Sequence, residues 1–263
     1  MSAKDELSGP FSRRFVAVGD SFTEGVGDID PSSPNGVRGW ADRVAAQLIS
    51  NDPSWGYANL AVRGRKLEQV IDGQLDAAVS LNPSLVTMYA GGNDILRPAV
   101  NLDALMQRYR WAAERLADTG ARVLLFTGFD SGKAPMFRAT RGRTAIYNEA
   151  VRKIASDLGL DLVDFWHMKH LQDWRYWDAD RLHLSIEGHI VMAKEVLRVL
   201  GEPDEIDEPE MEEKPPAALH RQVYDELTWT RDYLAPWVRR RITRRSSGDH
   251  LDAKYPTLTS RVW

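Results

Sequence analysis

Residues 13–27, "RRFVAVGDSFTEGVG", run an apolar strand into a glycine, an acid and a serine, and then into more glycine. Phe15 to Val18 form the unbroken apolar run of a strand covered on both faces. Gly19 then permits a sharp turn, and Asp20 and Ser21 are residue types that start helices by accepting backbone N–H groups. Two readings fit. Either residue caps a helix after a buried strand, or Ser21 is exposed at the carboxyl edge of a sheet, where a nucleophile would stand.

Working outward, four more runs have the composition of buried strands: "YANLAV" (57–62), "SLVTMYA" (84–90), "ARVLLFTG" (121–128) and "LDLVDFW" (160–166). Helical patterns with apolar residues at three- and four-residue spacing fill the intervals at 40–50, 67–80, 102–120 and 144–159. A last one covers 185–201, with Ser185 placed to cap it. Gly120 and Gly159 stand where helix stops belong. Regular alternation predicts an α/β protein, a parallel sheet with helices on both faces, in which ligands bind outside the carboxyl ends of the strands.

Composition narrows the function. The chain has 263 residues, is 43% hydrophobic and carries a net charge of −4, so it can bury a large core and lacks the basic excess that favours nucleic acid. With no cysteine, disulfides, thiolate nucleophiles and Cys-based metal sites are excluded. "MSAKDELSGPFSRR" has no apolar signal-type segment and no window approaches the roughly 20 apolar residues of a membrane span, so a cytoplasmic location is the expectation.

A serine hydroxyl needs a base and oxyanion donors before it attacks anything. Among six histidines His183 stands out, because Asp180 precedes it by three residues and can hold its Nδ1 proton. Asp178 is the weaker candidate for that role. "DADRLH" also fits a solvated loop with ion pairs to Arg181; no further ligand at metal spacing accompanies it. His167 and His170 are expected to lack an Asp partner, and His189 to be structural or on the surface. Gly64, after "NLAV", can present an unobstructed N–H, and Asn93 of "GGND" an amide; each is equally at home in an ordinary turn.

"GDSFTEG", Gly64, "GGND" and "DRLH", in this order and each beside a strand's carboxyl end, closely resemble the blocks of the SGNH hydrolases, the GDSL esterase/lipase family. The resemblance spans about residues 12–201. It implies a three-layer α/β/α sandwich with a five-stranded parallel, flavodoxin-like sheet. It makes Ser21 the nucleophile and first oxyanion donor, Gly64 and Asn93 the other donors, and Asp180 and His183 the rest of a triad. It implies no metal or organic cofactor. Phe22 replaces the leucine of the family name and, being apolar, is expected to face the core. The family's substrates include lipid esters, thioesters, aryl esters and acetylated sugars, so the expected partner is a small-molecule ester, with a thioester as alternative.

Rival readings fare worse. The glycines at 19, 25 and 27 do not make G-x-G-x-x-G, and an α/β-hydrolase would place G-x-S-x-G mid-chain with the triad spread widely. The tail invites a non-catalytic reading. Residues 202–216 are acidic and proline-containing, a linker or solvated strap, and 217–263 are expected to be a helical or irregular extension. There Arg239, Arg240, Arg241, Arg244 and Arg245 lie near Trp229 and Trp237 in sequence, a pattern suited to an acidic partner, the chain's own acidic strap or a membrane surface. The substrate pocket is expected in loops 129–143 and 167–179, with Phe137, Trp174, Tyr176 and Trp177 as candidates to line it.

Overall fold

The computed structural model describes residues 10–130, 138–209, 211, 228, 231–232 and 246–262. In chain order its elements are β1 (Arg13–Gly19), α1 (Ser21–Glu24), α2 (Trp40–Asn51), β2 (Trp55–Asn59), α3 (Leu67–Val70), α4 (Asp76–Ser80), β3 (Leu85–Tyr89), α5 (Gly92–Ile95), α6 (Leu102–Ala117), β4 (Arg122–Phe126), α7 (Arg141–Leu158), β5 (Asp161–Val163), α8 (Ile186–Leu200) and β6 (Tyr255–Thr259).

Because successive strand residues face opposite sides, β1 serves two cores. Val16 and Val18 join Leu67, Tyr109 and Val151, the inner faces of α3, α6 and α7. Phe15 and Ala17 join Trp40, Val44, Met192 and Val196, from α2 and α8. The result is a three-layer α/β/α sandwich. Caps end the helices as their sequences foretell: Ser185 accepts the N–H of Gly188 at the head of α8, and Gly159 and Gly201 close α7 and α8 in the left-handed conformation.

The strand order is β5-β4-β3-β1-β2-β6. β1 to β5 pair in parallel, while β6 pairs antiparallel with β2, Tyr57 opposite Thr259 and Asn59 opposite Tyr255. The expected five-stranded parallel sheet is therefore six-stranded and mixed. The sixth strand was hidden because "YPTLT" has no clear apolar alternation and contains a proline, which only an edge strand or bulge tolerates. β2 also starts and ends earlier than its apolar run, although beyond its end Leu60 still donates to the Ala17 carbonyl at 2.9 Å. The chain reverses direction across the sheet between β1 and β3, and the loops after these two strands open a crevice at their carboxyl ends.

The described part of the acidic run after α8, residues 202–209, lies against the sandwich. Lys194 pairs with Asp204 at 2.8 Å and donates to the Ile206 carbonyl at 2.7 Å, while Asn51 reaches the Pro203 carbonyl at 3.3 Å. The amphipathic helices expected over 217–245, with their Trp and Arg residues, lie outside the described residues apart from isolated positions. No helix among the described residues is long and apolar enough to cross a membrane.

Candidate functional site

Ser21 is the first residue of α1, and Asp20 is that helix's cap, its Oδ1 accepting the Phe22 N–H at 3.1 Å. Capping thus falls to Asp20, which leaves Ser21 one residue further on, just past the carboxyl end of β1. Among the described residues Ser21 Oγ has no hydrogen-bond partner. As the first helical residue, Ser21 also has no intrahelical acceptor for its N–H.

A one-turn helix cannot sustain itself, because nucleation fixes several dihedrals for each bond gained. α1 is held by side chains from elsewhere. Gln74, in a π-helical turn between α3 and α4, clasps both backbone groups of Gly19, accepting its N–H at 2.8 Å and donating to its carbonyl at 2.9 Å. Asn59 donates to the Thr23 carbonyl at 3.1 Å, and Lys254 to the Glu24 carbonyl at 2.8 Å. Lys254, wholly buried just before β6, also donates to the Arg38 carbonyl and to the Asp42 carboxylate. The Glu24 carboxylate, fully buried, takes Arg63 Nη2 at 2.7 Å and Asn35 Nδ2 at 3.1 Å.

His183 and Asp180 meet as their spacing predicts, Nδ1 to Oδ2 at 2.5 Å. The other carboxylate oxygen accepts the N–H groups of Leu182 and His183 at 2.9 and 3.0 Å. This curl requires Arg181 at φ +56°, a left-handed conformation that costs a non-glycine residue about 1–3 kcal/mol. Burial opposes charge on His183, but the charge and hydrogen bond of Asp180, with Asp20 and Asp178 behind, outweigh it and raise the imidazole pKa. Burial likewise opposes ionisation of Asp180, and His183 with the two N–H groups reverses the sign and lowers its pKa. Asp178 stays outside the pair, donating its N–H to the His183 carbonyl at 2.9 Å.

Asn93 lies in α5, just after β3, and its Nδ2 donates to Asp20 Oδ2 at 3.2 Å and to the Arg65 carbonyl at 3.1 Å. Burial raises the Asp20 pKa to about 7, against the opposing pull of the Phe22 N–H and His183. Asn93, Ser21 and His183 line one cavity, with no hydrogen bond between Ser21 and His183. Such contacts are often long before substrate binds. Phe22, Phe129, Phe165 and Trp177 give the cavity an apolar wall. Phe22 also packs on Trp40, Tyr89 and Phe126, as expected of an apolar residue in this position.

Other expected positions fall elsewhere. Gly64 lies on the loop after β2 at φ +77° but not on the cavity wall; a Cβ there would stand 2.0 Å from Ser246 Oγ, which itself donates to the Arg63 carbonyl at 3.2 Å. Of the aromatic candidates among the described residues, Trp177 reaches the cavity and Trp174 and Tyr176 do not. Trp174 rests beside Trp177 and Arg181, Tyr176 beside His170, and Phe137 lies outside the described residues. The expectation that His167 lacks an Asp partner is corrected: Asp164 meets its Nδ1 at 2.8 Å, because "DFWH" repeats the spacing of "DRLH". That ring is 68% exposed and off the cavity. His189 is structural, accepting the Trp40 N–H at 3.1 Å and facing the Val26 carbonyl at 3.1 Å; burial lowers its pKa to about 4. Sequence reasoning missed Gln74 and Lys254. Gly27 shapes the loop beside the site: a Cβ there would stand 2.0 Å from the Leu184 carbonyl, so that only glycine lets this loop touch the His183 segment. Gln74 was detectable in principle as a polar residue on an apolar helix face.

A doubly wound sandwich with a serine, an Asp-paired histidine and an asparagine gathered where β1 and β3 end is the architecture of the SGNH hydrolases. The chain belongs to the GDSL-like lipase/acylhydrolase family, which residues 17–191 match. A GDSL esterase/lipase of Oryza sativa subsp. japonica is 30% identical over 55% of this chain and 66% of its own length. One of Arabidopsis thaliana is 27% identical over 51% of this chain and 60% of its own. The match thus spans less than two thirds of the length of these relatives. Among solved structures, an acetylxylan esterase from Geobacillus stearothermophilus superposes with TM-score 0.61 at 20% identity, over 73% of this chain and 96% of that one. An alpha/beta hydrolase enzyme from the metagenome of Lake Arreo, Spain, gives TM-score 0.61 at 22% identity, over 73% and 97%. At these identities the likeness is one of fold.

Proposed function

We propose that the protein is a serine ester hydrolase working through an acyl-enzyme. The observation that carries this reading is the 2.5 Å Asp180–His183 pair on the cavity that Ser21 and Asn93 also line. His183, its Nδ1 committed to Asp180, takes the Ser21 proton on Nε2 as Oγ attacks the ester carbonyl carbon. The Ser21 N–H and Asn93 Nδ2, both from residues on the cavity, are the donors for the resulting oxyanion. Asn93 would turn from Asp20 or Arg65 to serve, a small cost since both bonds exceed 3.0 Å. Collapse expels the alcohol, protonated by His183, and water then repeats the sequence on the acyl group. Residues 12–201 form the catalytic unit in this reading, with residues 246–262 closing it from behind.

Replacing Ser21 with Ala removes the nucleophile and is expected to lower turnover of p-nitrophenyl acetate by about a thousandfold or more. Undiminished hydrolysis by that variant would refute the proposal. A panel of p-nitrophenyl esters of rising chain length, acetylated xylan and acyl-CoA then ranks oxygen esters against thioesters.

A further inference from the structure

We infer that the cavity contains a polar subsite, the Tyr89 hydroxyl, and that the acyl group it accepts carries an ether or hydroxyl oxygen close to the ester carbonyl. This rests on the esterase reading above. Tyr89 ends β3 opposite Gly19, the residue before Asp20 and Ser21, and its ring packs on Phe22 at 4.8 Å between centroids. The residue is only 7% exposed and lines the cavity.

Two glycines leave room around its hydroxyl. The oxygen lies 3.1 Å from where a Cβ would stand on Gly92 and 3.8 Å from one on Gly128, so the space is enclosed by the ends of β3 and β4. Among the described residues the hydroxyl has no hydrogen-bond partner. The neighbouring Thr144 hydroxyl, by contrast, donates to the Thr140 carbonyl at 3.1 Å. An apolar acyl chain seated over this hydroxyl would bury it unpaired, which is costly. Burial and the nearby Asp20 carboxylate push the phenol pKa well up, so the group is a hydrogen-bond donor with no role as acid or base.

The adjoining wall, Phe22, Ile95, Leu96 and Phe165, suits hydrocarbon. The unpartnered Tyr89 hydroxyl beside this wall therefore fits a short acyl group interrupted by an acceptor oxygen. We place the acyl side here, because that part stays on Ser21 while the alcohol must leave.

Two isosteric pairs test this, each differing by an oxygen in place of a methylene: p-nitrophenyl methoxyacetate against butyrate, and 3-methoxypropanoate against pentanoate. In Tyr89→Phe, kcat/KM for the oxygenated member of at least one pair is expected to fall about tenfold, with its hydrocarbon partner changed less than about twofold. Equal changes within both pairs would overturn the subsite. Labelling of Ser21 by a fluorophosphonate, run in parallel, separates the two claims. A parent protein that labels normally yet shows equal changes refutes the subsite alone, whereas one that neither labels nor hydrolyses refutes the esterase reading and the subsite with it.

Discussion

Asp20 performs two tasks at one position. It caps the helix that Ser21 begins, and its carboxylate adds to the field that raises the His183 pKa. His183 acts as a base only when neutral, so kcat/KM should fall as pH drops through a midpoint above the ordinary imidazole value of about 6.5. Asn accepts the Phe22 N–H as well as Asp does but brings no charge. Asp20→Asn should therefore move the acid limb to lower pH, and a pH–rate profile in which the limb stays put or rises would contradict the electrostatic account. The two Asp-x-x-His runs show what spacing can and cannot tell. Both Asp180–His183 and Asp164–His167 form, at 2.5 and 2.8 Å, but only the first lies on the cavity. His167→Ala is accordingly expected to leave ester turnover within about twofold of the parent, and a loss comparable to that of His183→Ala would mean the wrong pair was chosen. Sequence could locate both pairs; only the placement of their loops decides between them.

Among the elements, α1 and β6 depend on each other across the chain. The single turn bearing Ser21 ends on a carbonyl held by Lys254, and Lys254 is kept in the core by Asp42, whose carboxylate also accepts the Tyr57 hydroxyl at 2.7 Å. Burial lowers the lysine pKa and raises that of Asp42, each opposed by the other's charge. Removing one member of a buried pair strands the other, at a typical cost of about 3–5 kcal/mol. Lys254→Met should lower unfolding stability in urea by that amount, and adding Asp42→Asn should recover part of it. A Lys254→Met protein as stable as the parent would show that the segment before β6 is not an anchor. None of this was visible in sequence, because Lys254 sits in a stretch without apolar periodicity and its partners lie more than two hundred positions earlier. The helices were far easier: α2, α6, α7 and α8 carry clear three- and four-residue apolar spacing and end within a few residues of expectation.

For the whole molecule, the five parallel strands and the crevice between the loops after β1 and β3 followed from alternation and apolar runs, which record burial on both sheet faces. β6 did not, since an edge strand with a proline is specified by its neighbour β2 more than by its own residues. The candidate site was legible where short motifs carry its residues: Ser21, Asn93 and His183 do come to one cavity, and Asp180 does pair with His183. It was illegible where support arrives from distant chain, at Gln74 and Lys254, or where the pocket's walls depend on how loops close, as with Trp174 and Tyr176. The central claim is that Ser21 carries the acyl group during turnover. It is tested most directly by mixing the protein with p-nitrophenyl acetate, quenching in acid within the first turnovers and measuring intact and peptide masses. The account predicts one acetyl group on the peptide containing Ser21, absent from Ser21→Ala; acetyl found only on other residues, or hydrolysis at parent rate without Ser21, would contradict it.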